Sequence, residues 1–332
     1  MELQNLVDLH IHLGATTSPY FLWELAHRQG IRLPEKNYWK FIDLVTIHKK
    51  IASKVYLKKI TPSTQGTPSP FELTHKIQSS PLAVEECVHR ALSDAYRNMR
   101  ADLIELRFNP MFRNREGEHD LDKVIFAAVT GLKRACIEYP IKAGIILETD
   151  RQFNKEQHMI IARKAVEFKS YGIVGMDISG PSPEKFSFDD FVEAAEYVRS
   201  HGLGLTVHTG EFTGPDEVRE VVEKIKPHRI GHGISAVKDP TLLREIARKG
   251  IVLELCPTSN IKTGVVKNWD ELKNIINILK KYEIGFTINS DGPEFLSTDV
   301  KKEFQLLLQK KIITQEDAEH VIHLSHTASF VQ

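Results

Sequence analysis

Eight apolar, β-rich runs separated by amphipathic stretches limit the folds open to this chain more than any other feature. The runs cover residues 6–10, 102–108, 141–147, 172–178, 203–208, 229–231, 251–255 and 284–289. They are nearly continuous in apolar residues, as strands buried on both faces must be. Between them, residues 84–98, 121–138, 155–170, 188–201, 216–224, 240–249 and 269–281 carry apolar side chains at helical spacing. This alternation argues for a parallel sheet with helices outside it, and eight strands are the number that closes a (β/α)8 barrel. The length of 332 residues suits such a barrel as one unit, so we expect a single domain over residues 1–332.

Two regions stand outside the repeat. Residues 14–100 contain an insertion in the first βα loop, with helical stretches at 18–29 and around 39–59 and a breaker-rich run at 61–70. Such an insertion lies on the face where barrel active sites are built, which suits a lid. A flexible surface loop is the alternative. Beyond the last run, residues 300–309 and 314–324 read as closing helices.

Composition narrows the function classes. Lys+Arg and Asp+Glu balance at 44 each, which argues against a bulk electrostatic grip on nucleic acid or membrane while leaving room for a local basic patch. The three scattered cysteines, Cys87, Cys136 and Cys256, form no CxxC motif and imply no disulfide framework. Met1 leads directly into the first apolar run, with no signal peptide and no run long enough to span a bilayer. The expectation is a cytoplasmic enzyme working on a small molecule.

The chemistry-bearing residues fall at or just after the C-terminal ends of the runs. The first run ends in His10-Ile11-His12, whose imidazoles alternate to one side roughly 7 Å apart along the strand. Later runs supply His208 and Glu211, then His232, then Asp291. An isolated HxH is more often a pair of polar loop residues, and a single buried His is usually a satisfied core residue. Four strand ends bearing such residues together are another matter. Three His and one Asp can surround Zn2+ and leave a position for water, whose pKa falls from about 15.7 to about 7. Asp291, touching metal and water, can take the proton. His232 can orient the water, and Glu211 is placed to protonate the group under attack.

With these residues in place, the chain resembles the adenosine deaminase family of metal-dependent amidohydrolases. The motifs are Leu9-His10-Ile11-His12-Leu13, Glu105-Leu106-Arg107-Phe108-Asn109-Pro110, Gly175-Met176-Asp177-Ile178-Ser179-Gly180, Val207-His208-Thr209-Gly210-Glu211, Arg229-Ile230-Gly231-His232-Gly233, Leu255-Cys256-Pro257-Thr258-Ser259-Asn260 and Asn289-Ser290-Asp291. The resemblance implies a single zinc on His10, His12, His208 and Asp291. It also implies protonation of the purine ring at N1 by Glu211, hydroxide positioning by His232, and the Gly180 backbone NH facing ring N3. Hydroxide attack at C6 would then release ammonia from adenosine, 2′-deoxyadenosine or a related aminopurine nucleoside. No lysine stands near the end of the fourth run, which favours one metal over two. The H-x-E and P-C-x-x-C motifs of cytidine-type deaminases are absent. Cys256 precedes a proline and is placed in the barrel core.

Two positions depart from the family. Gly14 stands where an Asp helps bind the ribose 5′-hydroxyl, and Gly292 where an Asp contacts ring N7. Pro181-Ser182 also replaces an acidic pair. The metal and acid positions are untouched, so the reaction type should survive while the substrate shifts. Two lost hydrogen bonds at about 1.5–3 kcal/mol each are enough to move preference by orders of magnitude. Glu294, a water or a lid residue can restore the contacts. The other reading is a different aminated substrate, such as AMP, N6-methyl-AMP, a modified nucleoside, adenine or a pterin, with Thr16, Thr17 and Ser18 as donors to a phosphate. A barrel retained only for binding is a further alternative, disfavoured by the intact set of six site residues.

Overall fold

Strands form where β-branched and leucine residues run without interruption, and the computed structural model pairs eight of them in parallel. It describes residues 3–60, 69–115, 117–183 and 186–331. The strands are β1 (Leu6–His12), β2 (Ala101–Phe108), β3 (Lys142–Asp150), β4 (Ile173–Ser179), β5 (Gly204–Thr209), β6 (Arg229–His232), β7 (Val252–Leu255) and β8 (Phe286–Ile288), neighbours in chain order. The circle closes through a bridge between Ile11 and Asp291. There the His12 N–H donates to the Asp291 carbonyl at 2.9 Å, and the Asp291 N–H donates to that of His10 at 2.8 Å. The fold is therefore the (β/α)8 barrel expected, and its seam joins two of the predicted metal-binding segments.

The outer helices begin where short polar side chains can take up free backbone N–H groups. Asp239 accepts from the amides of Thr241 and Leu242 to start Pro240–Lys249, and Asn268 accepts from Glu271 to start Trp269–Lys281. Pro240–Lys249 ends on Gly250 at φ 65°, a conformation that glycine adopts without steric cost. Two closing helices, Val300–Gln309 and Gln315–Ala328, follow β8. Among the described residues, no helix is long and apolar enough to cross a membrane.

The first βα insertion is largely helical, with segments Pro19–Arg28, Tyr38–Val45, Ser53–Ile60, Pro70–Ile77 and Pro81–Asp94. The stretch read as helical around 39–59 is broken in two. Between its halves the Ile47 amide donates to the Phe295 carbonyl beyond β8, and the Ile51 amide to that of Lys262 beyond β7. Tertiary hydrogen bonds thus replace helical ones and tie the insertion to the barrel's C-terminal face. Of the breaker-rich run, residues 61–68 lie outside the described residues. Ser69 caps Pro70–Ile77 through a reciprocal pair of bonds with Glu72.

Candidate active site

Alternation along β1 buries Asp8, His10 and the apolar residues of the strand. His10 and His12 emerge at its C-terminal end with ring centroids 5.2 Å apart. β5 brings His208, whose ring lies 4.5 Å from that of His10 and 5.1 Å from that of His12. Ligand-capable nitrogens of the three rings all fall within 4.8 Å of one another.

Each ring is held from behind by a buried carboxylate. His10 Nδ1 donates to Glu254 of β7 at 2.7 Å. His12 Nδ1 lies 3.0 Å from Glu148 of β3, and His208 Nδ1 lies 2.8 Å from Asp177 of β4, an ion-pair contact without hydrogen-bond alignment. A proton kept on Nδ1 by such a partner leaves the Nε2 lone pair free for a metal. The Nε2 atoms of His12 and His208 face each other at 3.2 Å, and the buried Nε2 of His10 has no hydrogen-bond partner. Asp291 Oδ1 lies 3.5 Å from His12 Nε2 and 3.8 Å from His10 Nε2. Its other oxygen accepts from the Ser259 hydroxyl at 2.6 Å.

Charge around the rings is also suited to a cation. Two buried arginines, Arg107 and Arg229, face four buried carboxylates, Glu105, Glu148, Asp177 and Glu254. Arg107 bonds both Asp177 and Glu254, at 2.9 and 3.0 Å. Converging imidazole nitrogens and a carboxylate oxygen are donors that zinc prefers. Burial holds His10 well below the usual imidazole range, which keeps it neutral, the form a ligand needs. For His12, burial is outweighed by Glu148, and its pKa is raised.

His232 and Glu211 stand beside this cluster. His232 at the end of β6 takes φ 61°, and Asp291 takes φ 63°. Left-handed backbone at non-glycine residues costs energy and concentrates at functional sites. Asn260 Nδ2 donates to His232 Nδ1 at 3.0 Å, so the neutral ring carries its proton on Nε2, 3.5 Å from Glu211. Burial pushes His232 down to about 3. Burial, and then the Asp291 charge, push the Glu211 carboxyl well above the usual carboxylate range. Cys256 is buried as expected, but its sulfur also comes within 4.8 Å of nitrogens of His10 and His232. Burial raises its thiol pKa well above normal, which disfavours thiolate ligation.

A cavity of about 1000 Å³ opens over the cluster, walled by His12, His208, Glu211, His232 and Asp291 at one end and by the insertion at the other. Tyr56 of the insertion stacks on Phe212, next to Glu211, with centroids 5.6 Å apart. Gly180 also lines it at φ 91°, where a Cβ would come 2.3 Å from Asp150 Oδ2. Gly14 and Gly292 do not. Gly14 is buried in the turn Leu13–Thr16, where a Cβ would meet Thr74, Arg113 and His75. A Cβ on Gly292 would come 2.9 Å from Ala15 Cβ, so this glycine lets two short helices touch. Thr17 is bonded to Gln78 and Ser18 caps Pro19–Arg28. Neither they nor Thr16 reach the wall. The cations on the wall are instead Arg32, Lys76, Arg115 and Arg151.

Glu148, Asp177 and Glu254 are site residues that carry no motif role in the sequence. The available signal was an acidic residue inside each of three otherwise apolar strands.

Residues 5–332 match the family model described as adenosine deaminase. A curated adenosine deaminase of Shewanella denitrificans is 28% identical over 306 residues, covering 91% of this chain and 87% of its own. An adenine deaminase from Arthrobacter aurescens shares the fold at a TM-score of 0.85 with 16% identity, covering 99% of this chain and 95% of its own. The apo N6-methyl-AMP deaminase of Arabidopsis thaliana does so at 0.81 with 22% identity, over 99% and 93%.

Proposed function

The chain belongs to the adenosine deaminase family, and from that premise we propose that it is a zinc-dependent hydrolytic deaminase releasing ammonia from C6 of an aminopurine nucleoside. The observation that carries the reading is the set of three imidazoles, each backed by a buried carboxylate, whose Nε2 atoms converge beside Asp291. His10, His12, His208 and Asp291 would hold one zinc. Bound there, zinc would lower the pKa of water toward about 7 and so supply hydroxide at neutral pH.

The chain's own residues do the rest. Glu211, kept protonated by burial and by Asp291, gives its proton to ring N1 as oxygen adds to C6. Asp291 accepts one water proton and passes it to the departing amine, and the proton left on the C6 hydroxyl restores Glu211 as the C–N bond breaks and the carbonyl forms, so that one water is consumed and one ammonia leaves. His232, neutral and with Nε2–H toward Glu211, orients the attacking oxygen. His12 and the Gly180 N–H border the purine, and the insertion acts as a lid that excludes water. The substrate is a small molecule, with no role for nucleic acid or membrane, and the place of work is the cytoplasm.

One observation favours a second reading, a phosphorylated substrate. The end of the cavity formed by the insertion carries Arg32, Lys76 and Arg115, and among the described residues Arg115 bonds the neutral Ser79 and Gln29, with Glu118 at 3.9 Å. The Arabidopsis protein of the same fold is named for a nucleotide, N6-methyl-AMP. The test is ammonia release by zinc-loaded protein from adenosine, 2′-deoxyadenosine, adenine and AMP, with methylamine release scored for N6-methyl-AMP. Turnover of the nucleosides bears out the first reading, and turnover of nucleotides alone the second. Silence on all five substrates sinks both.

A further inference from the structure

The end of the barrel opposite the cavity is closed by the residues that follow helix Gln315–Ala328. Phe330 and Val331 sit beneath three strands at positions where no side chain fits. A Cβ on Gly204 of β5 would come within 2.1 Å of the Phe330 ring, one on Gly175 of β4 within 3.0 Å, and one on Gly144 of β3 within 2.8 Å of Val331. These glycines are neighbours across the sheet, with Gly175 paired to Gly204. The seat is shaped for this ring.

The ring is not merely filling space. The Arg229 guanidinium lies 3.6 Å from its centroid, and Arg229 is 1% exposed. The same arginine donates to the Ala328 carbonyl at 2.6 Å and pairs with Glu105. Glu105 in turn accepts from the Ser329 hydroxyl at 2.7 Å and the Phe330 amide at 2.5 Å. On its other side, Arg229 Nε donates to Glu254 Oε1 at 2.7 Å, and Glu254 Oε2 accepts from His10 Nδ1 at 2.7 Å. Two residues therefore link the segment to His10.

We propose that Phe330, seated on Gly175 and Gly204 and stacked on Arg229, is a positioning residue for His10, setting through Glu254 the orientation and tautomer of that imidazole. A guanidinium stacked on an aromatic face has one plane in which its N–H fork can point, and here the fork points at Glu254 and Glu105. Without the ring the buried guanidinium can tilt and admit water, and Glu254 is held less firmly behind His10. Partners of this kind behind a ligand typically change metal affinity by about 10–100-fold. The proposal uses the ligand role given to His10 above, so its test includes a measurement that does not need metal.

The variants are Phe330→Ala and Phe330→Leu, the second retaining apolar bulk without an aromatic face. Zinc dissociation constants come from chelator competition, and the His10 Nδ1–H resonance is read by NMR in metal-free protein. Both variants are expected to weaken zinc binding about tenfold and to shift or broaden the His10 resonance, with KM nearly unchanged and kcat following metal occupancy. If Phe330→Ala does not fold, Phe330→Leu decides. Parent-like zinc affinity and an unmoved His10 resonance in Phe330→Leu, whatever its melting temperature, overturn the proposal. If the parent protein itself fails to bind zinc, the metal reading falls, and the resonance alone decides the positioning role.

Discussion

Glu254→Gln is the most informative single perturbation of this barrel, because Glu254 does not line the cavity yet stands behind a predicted ligand. Its Oε1 accepts from Arg229 Nε at 2.7 Å and Thr206 Oγ1 at 2.9 Å, and its Oε2 from His10 Nδ1 at 2.7 Å and Arg107 Nη2 at 3.0 Å. Glutamine has one accepting oxygen, and its NH2 only donates. However the amide is turned, two of the four donors face N–H groups. A lost hydrogen bond to a charged group is worth about 1.5–3 kcal/mol, and breaking a buried ion pair costs about 3–5 kcal/mol. We expect a loss of about 3–5 kcal/mol, a large part of the ~5–15 kcal/mol typical of a folded domain. Zinc affinity should fall about 10–100-fold because His10 loses the partner that sets its tautomer. Denaturant unfolding of the metal-free protein measures the first effect, and chelator competition under native conditions the second. The exposed Glu223→Gln is the control and should stay within about 0.5 kcal/mol of the parent. If Glu254→Gln behaves like Glu223→Gln in both assays, the account of a carboxylate-backed ligand is refuted.

Three further outcomes follow from the same geometry. Glu211→Gln should retain zinc and lose about 10²–10⁴ in turnover, read as ammonia release against metal content; near-parental activity removes Glu211 as the acid. Glu303 is fully buried, accepts from Thr258 N at 3.1 Å and from Thr298, and burial pushes it up to about 7 from 4.5. The fold therefore holds a proton that the unfolded chain releases earlier, so stability is complete below pH 4.5 and falls by about 3 kcal/mol as pH rises through about 7. Glu303→Gln keeps an accepting oxygen and should reduce the fall of melting temperature between pH 5 and 8, to which the buried Asp8 and Asp150, raised to about 7 and about 6, also contribute; an unchanged slope contradicts the burial argument. Gly180→Ala forces a Cβ to within 2.3 Å of Asp150 Oδ2 at φ 91°, so KM should rise while zinc affinity holds, and an unaltered KM places the purine elsewhere.

What the sequence made legible depended on how local the signal was. Helices 121–138, 240–249, 269–281 and 300–309 have the ends expected of them, because each starts at an Asp or Asn that accepts from its own first turn. The turns Leu13–Thr16, Pro257–Lys262 and Pro293–Leu296 are too short for periodicity to register, and they form because loops pack at the barrel mouth. The histidines could be found because HxH and its counterparts recur at strand ends. Glu148, Asp177 and Glu254 could not be assigned to particular histidines, because each meets its ring from a different strand, a pairing that only the closed barrel brings about.

Gly14 and Gly292 show the same limit from the other side. Read one at a time, each suggests a lost contact to the ligand. In three dimensions each is a packing position: Gly292 lies where Leu13–Thr16 meets Pro293–Leu296, with a Cβ there 2.9 Å from Ala15, and Gly14 faces Thr74, Arg113 and His75. A side chain at Gly292 has to separate the two turns before it can reach a substrate. One at Gly14 would aim at Thr74 and Arg113. Arg113 is 1% exposed, among the described residues bonds neutral oxygens of Asn109 and Gln78, and is held by burial down to about 10. Gly14→Asp therefore adds a carboxylate for that arginine before it adds one for a ribose. Restoring one acidic residue is then a poor route to adenosine preference. The substitutions that should move preference between nucleoside and nucleotide are those at Arg32, Lys76 and Arg115, where the wall itself carries charge.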